Sequence, residues 1–284
     1  DRHYPLRRQR QMCIRDRNVT VPAKTKKGGL NPVITMIILI AIAMGIFRFV
    51  FGAEGNFEGG DVEKGNPLNF LGIIHKGGVI IPFLMSFFFM VIVFSIDRVI
   101  ALNKAKGTGS AEKFVNDIRA LLNKNEVNKA IELCDKQKGA VGNVVKEGLT
   151  TYKALENDTT LNKEQKLAQL GKTLEEATTL EMPTLEKNMT IISTIASVGT
   201  LIALMGTVIG MIKAFFALGE GGGSPDAAQL SVGIAEALIN TGMGIGASAF
   251  AIIMYAFLTS KIDDLTFKID EVGMSIQQSF SAHN

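Results

Sequence analysis

Asn188 to Ile212 is one uncharged run, and Leu230 to Ser260 is a second, interrupted only by Glu236. A bilayer core about 30 Å thick needs roughly 20 helical residues at 1.5 Å rise, and an uncharged run of that length is rarely a soluble helix. The two runs, joined across a Gly-rich break from Gly219 to Pro225, predict an antiparallel transmembrane hairpin.

The first run carries its polar residues in register. Ser193, Thr200 and Thr207 are spaced by heptads and drift by only about 20° per heptad, with Thr190 and Ser197 close to the same side. Hydroxyls so aligned can bond a neighbouring helix, bond back to their own carbonyls, or line a watery path, and for any single Ser or Thr the helix-packing reading is the simpler one. A stripe of five favours a lined interior. The second run holds Glu236, Asn240 and Thr241 among small residues, Gly233, Ala237, Gly242, Gly244, Gly246 and Ser248, which predicts close packing of several helices. An ionisable group at membrane depth faces protein or water and has a function by default, unless Glu236 lies close enough to the helix end to reach the interface.

The hairpin also sets levels. With the turn centred near Ser224, Thr207 and Thr241 share one level, and Lys213 and Glu236 share another nearer the turn. Lys213 is therefore a candidate ion-pair partner for Glu236. The alternative has Lys213 snorkelling to the surface.

The segments LEKNMTIISTIASVGTLIALMGTVIGMIKAF, Leu185 to Phe215, and GIAEALINTGMGIGASAFAIIMY, Gly233 to Tyr255, resemble the ExbB/TolQ/MotA family of proton-channel subunits, most closely ExbB. The specific pieces are GTVIGMI around Thr207 and GIAEAL followed by Thr241. The resemblance implies a homopentamer whose third and fourth spans enclose a pore holding single-span helices of the ExbD type, each with a proton-carrying Asp. Thr207 and Thr241 would then face that Asp, Thr200 would lie one heptad inward, and Glu236 nearer the external mouth, with Asn240, Ser193 and Ser197 as further polar positions. It also implies a TonB-like partner and a place in the bacterial inner membrane. Two features depart from the ExbB pattern: Lys213, where a neutral polar residue is expected, and a fourth span, a layout closer to MotA.

The rest of the chain is organised around this hairpin. Residues 1–17, with six Arg, two Asp, His3 and Cys13 and no apolar periodicity, are read as foreign to the fold; without them the formal charge of +3 becomes −1, so basicity is no argument for nucleic acid. Cys134 then stands alone, with no internal disulfide to form. Lys24, Lys26 and Lys27 precede an apolar run from Pro32 to Phe51, opened by Asn31 and Pro32 as helix starts are, with Arg48 able to snorkel. A cleavable leader is the alternative, but no small-residue cleavage site follows, and residues 18–52 are read as an anchor helix. Residues 53–76 read as an external acidic, Gly-rich loop with a short helix at Leu68 to Ile74. A second span occupies 77–102; Asp97 and Arg98 close its apolar part and are read as a charged end at the membrane surface. Residues 103–186 are too polar for the membrane. Helical spacing of Phe114, Ile118, Leu121 and Leu122, of Val127, Ala130, Ile131 and Cys134, and of Val144, Val145 and Leu149 predicts packed soluble helices, broken at Gly107–Ser110 and at Lys138–Gly142. Leu161 to Leu185 is expected to run straight into the third span, 187–219, with Pro183 as a kink. A turn at 220–229 leads to the fourth span, 230–260. Ile262, Leu265, Ile269, Val272 and Ile276 carry the helix on through 261–284.

Basic residues flank alternate connections, which puts both termini in the cytoplasm. The expectation is an all-α integral membrane protein with four spans and long cytoplasmic helical extensions. His75 and His283 lie in no motif, and no CxxC, HExxH or phosphate-binding loop occurs, so no catalytic, metal or cofactor site is expected. An ExbB-type energiser, a TolQ-like or motility-stator subunit, and a passive membrane scaffold with the Thr stripe as helix glue all fit this reading.

Overall fold

The computed structural model describes residues 31–62, 65–220 and 227–283. The segment 1–17, the Lys24–Lys27 cluster and the centre of the Gly-rich turn lie outside the described residues. Among the described residues every regular element is helical, apart from one isolated bridge between Phe57 and Pro67. Four helical stretches are long and apolar enough to cross a membrane: Pro32–Phe51, Met189–Phe216, and parts of Ile80–Asn123 and Leu230–His283.

Helix α1, Pro32–Ile46, starts as its sequence requires. Asn31 Oδ1 accepts from Val33 N, and Pro32 occupies a position whose N–H would have no helical partner. It ends through a π turn, Phe47–Phe51, whose last carbonyls are taken up by Asn56: its Nδ2 donates to Val50 O at 2.9 Å and Phe51 O at 3.0 Å. Asn69 Nδ2 donates in turn to Asn56 Oδ1. The same Asn69 caps α2, Phe70–Lys76, by accepting from Gly72 N, so the short loop helix begins two residues later than its apolar pattern suggests.

Helix α3, Ile80–Lys106, holds the second apolar stretch and continues past it to Lys106. Helices α4 (Ala111–Asn123), α5 (Val127–Gln137), α6 (Gly139–Glu156) and α7 (Lys163–Leu185) lie between the second and third apolar helices, and none of the four is long and apolar enough to cross a membrane. Phe114, Ile118, Leu122, Val127, Ala130, Val144, Val145 and Leu149 are all buried, and Leu121 and Ile131 are partly so. Cys134 is buried among them, and that burial pushes its thiol up to about 12. The break expected over Lys138–Gly142 is confined to the junction of α5 and α6. Lys138 and Gly139 both adopt positive φ, and Gly142 already lies inside α6.

Helices α8, Met189–Glu220, and α9, Ala227–His283, complete the chain. The C-terminal half of α9 buries Ile262, Leu265, Ile269, Val272, Ile276 and Phe280, the last edge-on to Tyr152 with ring centroids 4.9 Å apart. One apolar core therefore runs without interruption from α4–α7 to Phe94, Ile192 and Leu258 in the long apolar helices. Burying a fully covered side chain of this kind contributes about 1.5–3 kcal/mol, so α9 holds the two halves of the molecule as one body.

Two expectations need correction. Helix α7 does not run straight into the third span. Pro183 has no N–H for the carbonyl of Thr179, α7 stops at Leu185, and Asn188 adopts φ 63° before α8 begins. Arg98 is not a surface charge either. It is 1% exposed; its Nε and Nη2 donate to Asp97 Oδ2 at 3.2 and 2.7 Å, and its Nη1 donates to Thr184 O at 3.2 Å. A buried guanidinium is tolerable only with such partners, and here it satisfies a carbonyl at the end of α7. Arg98 thus ties the second span to the joint beneath the third.

Candidate functional site

The membrane halves of α8 and α9 meet along a seam of small residues. A Cβ added at Gly210 would lie 3.1 Å from Ala237 Cα, one at Gly233 3.0 Å from Ala214 Cα, and one at Gly199 2.7 Å from Ser248 Oγ. The main chains are about as close as their atoms permit, the arrangement that small residues allow in lipid. This closeness lets short side chains on the two helices touch.

Thr207 and Thr241, half-buried, meet through their hydroxyls. Each Oγ1 also lies 3.1 Å from the carbonyl four residues back, Ala203 O for Thr207 and Ala237 O for Thr241. Two hydroxyl protons therefore serve three contacts. One hydroxyl donates across the seam while the other donates to its own helix, and exchanging those roles needs only rotation about two C–O bonds. Lone pairs stay free on both oxygens. Such a pair can accept from a carboxylic acid or donate to a carboxylate without itself holding charge.

Near the loop end of the same hairpin, Lys213 Nζ lies 2.7 Å from Glu236 Oε1. The carboxylate side chain is 7% exposed and the lysine 55%, so Lys213 both pairs and reaches outward; the two readings of this residue are parts of one geometry. Glu236 also packs against the start of the second span. Gly78, at φ 79°, sits so near that a Cβ there would be 2.9 Å from Glu236 Oε1, and one turn along α9 the buried Asn240 Nδ2 donates to Gly77 O at 3.2 Å. Both the left-handed backbone and the close approach call for glycine at 78.

The hydroxyl pair and the carboxylate thus occupy opposite flanks of the seam. Glu236 and Thr241 are five residues apart, about 140° around a helix at 100° per residue, so one faces the second span when the other faces away from it. Hydroxyls and carboxylate therefore do not share one face of the hairpin. On the hydroxyl flank of α8, Thr200 and Ser197 are exposed, and Ser193, half-buried, donates to Thr190 O at 3.1 Å. Gly77, Gly78 and Arg98 are the contributors that spacing alone did not reveal. The Gly-Gly pair directly after α2 was the one local sign that backbone approaches something closely there.

Residues 137–271 match the MotA/TolQ/ExbB proton channel family. The chain is 39% identical over 72 residues to an ExbB-like biopolymer transport protein of Synechocystis sp., a match covering 25% of this chain and 28% of that protein. It is 36% identical over 78 residues to the biopolymer transport protein ExbB of Aquifex aeolicus, covering 28% and 52% of the two. It is 37% identical over 83 residues to the Tol-Pal system protein TolQ of Haemophilus influenzae, covering 29% and 36%. The chain thus spans between 28% and 52% of the length of these relatives. The family match takes in both helices of the seam, the hydroxyl pair and the Lys213–Glu236 pair, so the stretch of the chain that is similar to the MotA/TolQ/ExbB proton channel family is the one that holds the site.

Proposed function

We propose that the chain is an ExbB-like subunit of an inner-membrane, proton-driven motor. In this reading five copies surround a pore, the hydroxyl flank of each hairpin faces inward, and a single-span partner of the ExbD type places a membrane Asp at the level of Thr207 and Thr241. The observation that carries it is the touching hydroxyl pair, whose protons can be redistributed by rotation alone. A protonated Asp is accepted by an oxygen of the pair, and a deprotonated one receives a hydroxyl proton, so the acid is solvated in both states as it passes. Thr200, one heptad on, extends the polar track, with Ser197 and Ser193 beyond it. One charge crossing 100 mV supplies about 2.3 kcal/mol, usable for rotating or pulling a TonB-like protein.

For Glu236 the ion-pair reading offered by its level on the hairpin is the one we adopt. Paired with Lys213 and pressed against Gly78, it braces the second span against the hairpin at the external mouth. Both termini lie in the cytoplasm and the soluble helices with them, in keeping with the basic flanks of α3 and the membrane half of α9. A TolQ-like role is the second reading, favoured by the 37% identity to TolQ over much the same length as the ExbB matches. The test is reconstitution of the full chain in vesicles with and without its one-span partner. Proton uptake driven by an imposed potential, dependent on the partner and on its Asp, together with a complex mass that fits five copies of the chain and two of the partner, is the expected result; a monomeric chain, or no partner-dependent uptake, refutes the reading.

A further inference from the structure

We propose that a cleft between α3 and α9, on the membrane boundary that faces the soluble helices, is a binding site for the phosphate of an anionic phospholipid. The cleft encloses about 180 Å³. Its floor is apolar, with Leu102, Leu258 and Leu265 buried, and its rim carries Lys106 and Lys261. Among the described residues no carboxylate pairs with either ammonium group. Asp264, the one acid lining the cleft, is engaged by Lys268 at 2.8 Å. Lys261 Nζ instead stands 5.6 Å from the centre of the Phe257 ring, which is 48% exposed. Two cations without counter-ions, mounted over an apolar floor, suit a ligand that is anionic at one end and hydrocarbon at the other.

The position fits that ligand. Asp97 and Arg98 end the apolar part of α3, so Leu102 lies one turn past it; Lys261 is the first charge on α9 after Glu236. Both helices therefore leave the hydrocarbon at the cleft, where lysine stems lie along apolar surface and their heads reach the phosphate level. Basic pockets between spans at this boundary attract acidic head groups, each lysine contributing about a fivefold gain in affinity. A zwitterionic lipid offers the same tails without net charge, and free phosphate offers the charge without tails.

The experiment uses the full chain in nanodiscs or detergent, exposed to equal amounts of phosphatidylglycerol and phosphatidylcholine and read by native mass spectrometry. Retention of phosphatidylglycerol over phosphatidylcholine is expected. It should fall about 25-fold in the Lys106→Gln, Lys261→Gln double variant, be restored by arginine at both positions, and be unchanged in the control pair Lys153→Gln, Lys172→Gln on the distant soluble helices. Millimolar inorganic phosphate should not displace the lipid. Equal retention of the two lipids, no loss in the double variant, or displacement by inorganic phosphate overturns the proposal. So does a variant that shifts the oligomer distribution and leaves lipid retention alone, which would assign the cleft to a second copy.

Discussion

Replacing Thr207 by Val separates a working hydroxyl from a structural one. Valine keeps the volume and β-branching of threonine, so the seam of Gly210, Ala237 and Gly206 stays packed and the change removes one O–H. The structure bounds the cost in stability. Thr207 gives up its hydroxyl contact with Thr241 and its bond to Ala203 O, while Thr241 still donates to Ala237 O and no group of the partner helix is stranded. Side-chain hydrogen bonds between membrane helices average about 0.6 kcal/mol and reach about 1.7 kcal/mol, so a loss near the lower figure is expected. The effect on transport is larger. A carboxylate deprived of one charge-assisted hydrogen bond loses about 1.5–3 kcal/mol, which is about 10- to 100-fold in rate if it arises at the barrier. Thr207→Val should thus cut proton uptake into partner-containing vesicles at least tenfold while barely lowering the unfolding temperature, with Thr207→Ser close to the parent and Thr241→Val behaving alike. Unimpaired uptake in both valine variants would falsify the relay and leave the hydroxyls as packing.

The Lys213–Glu236 pair should show coupling in a double-mutant cycle of Lys213→Met and Glu236→Gln. Removing one partner of a buried pair costs about 3–5 kcal/mol, but with Lys213 more than half exposed about 1–2 kcal/mol is expected, and additive unfolding free energies would remove the ion pair from the account. Arg98→Met strands the Asp97 carboxylate and the Thr184 carbonyl inside the protein. A destabilisation of about 3–5 kcal/mol is expected in denaturant titrations, partly recovered by adding Asp97→Asn, whereas no change would mean the buried guanidinium holds nothing together. His75, stacked on Phe47 with ring centroids 4.6 Å apart, is held below its ordinary value of 6.5 by burial and by Lys76 and Arg48. Because its folded value is the lower one, its contribution is complete above about pH 6.5 and is lost as pH falls through the folded value; a His75→Phe variant should lose this part of the acid dependence of the unfolding temperature.

The four apolar helices, the packed helices between the second and third, and the level at which Thr207 meets Thr241 were all legible in the chain. Each depends on one-dimensional quantities, namely the length of an uncharged run, helical periodicity, and distance from a turn. The small residues of the second run likewise announced a tight seam. The break between α7 and α8 was half legible: Pro183 was visible, but the left-handed Asn188 that turns a kink into an end was not. What only the tertiary structure decided is which flank each polar group faces. The angle between Glu236 and Thr241 follows from their spacing, but which of the two meets the second span depends on where α3 packs, a contact between residues far apart in sequence. Gly77 and Gly78 reach the carboxylate only because that packing exists, and Arg98 is buried only because α7 ends on top of it.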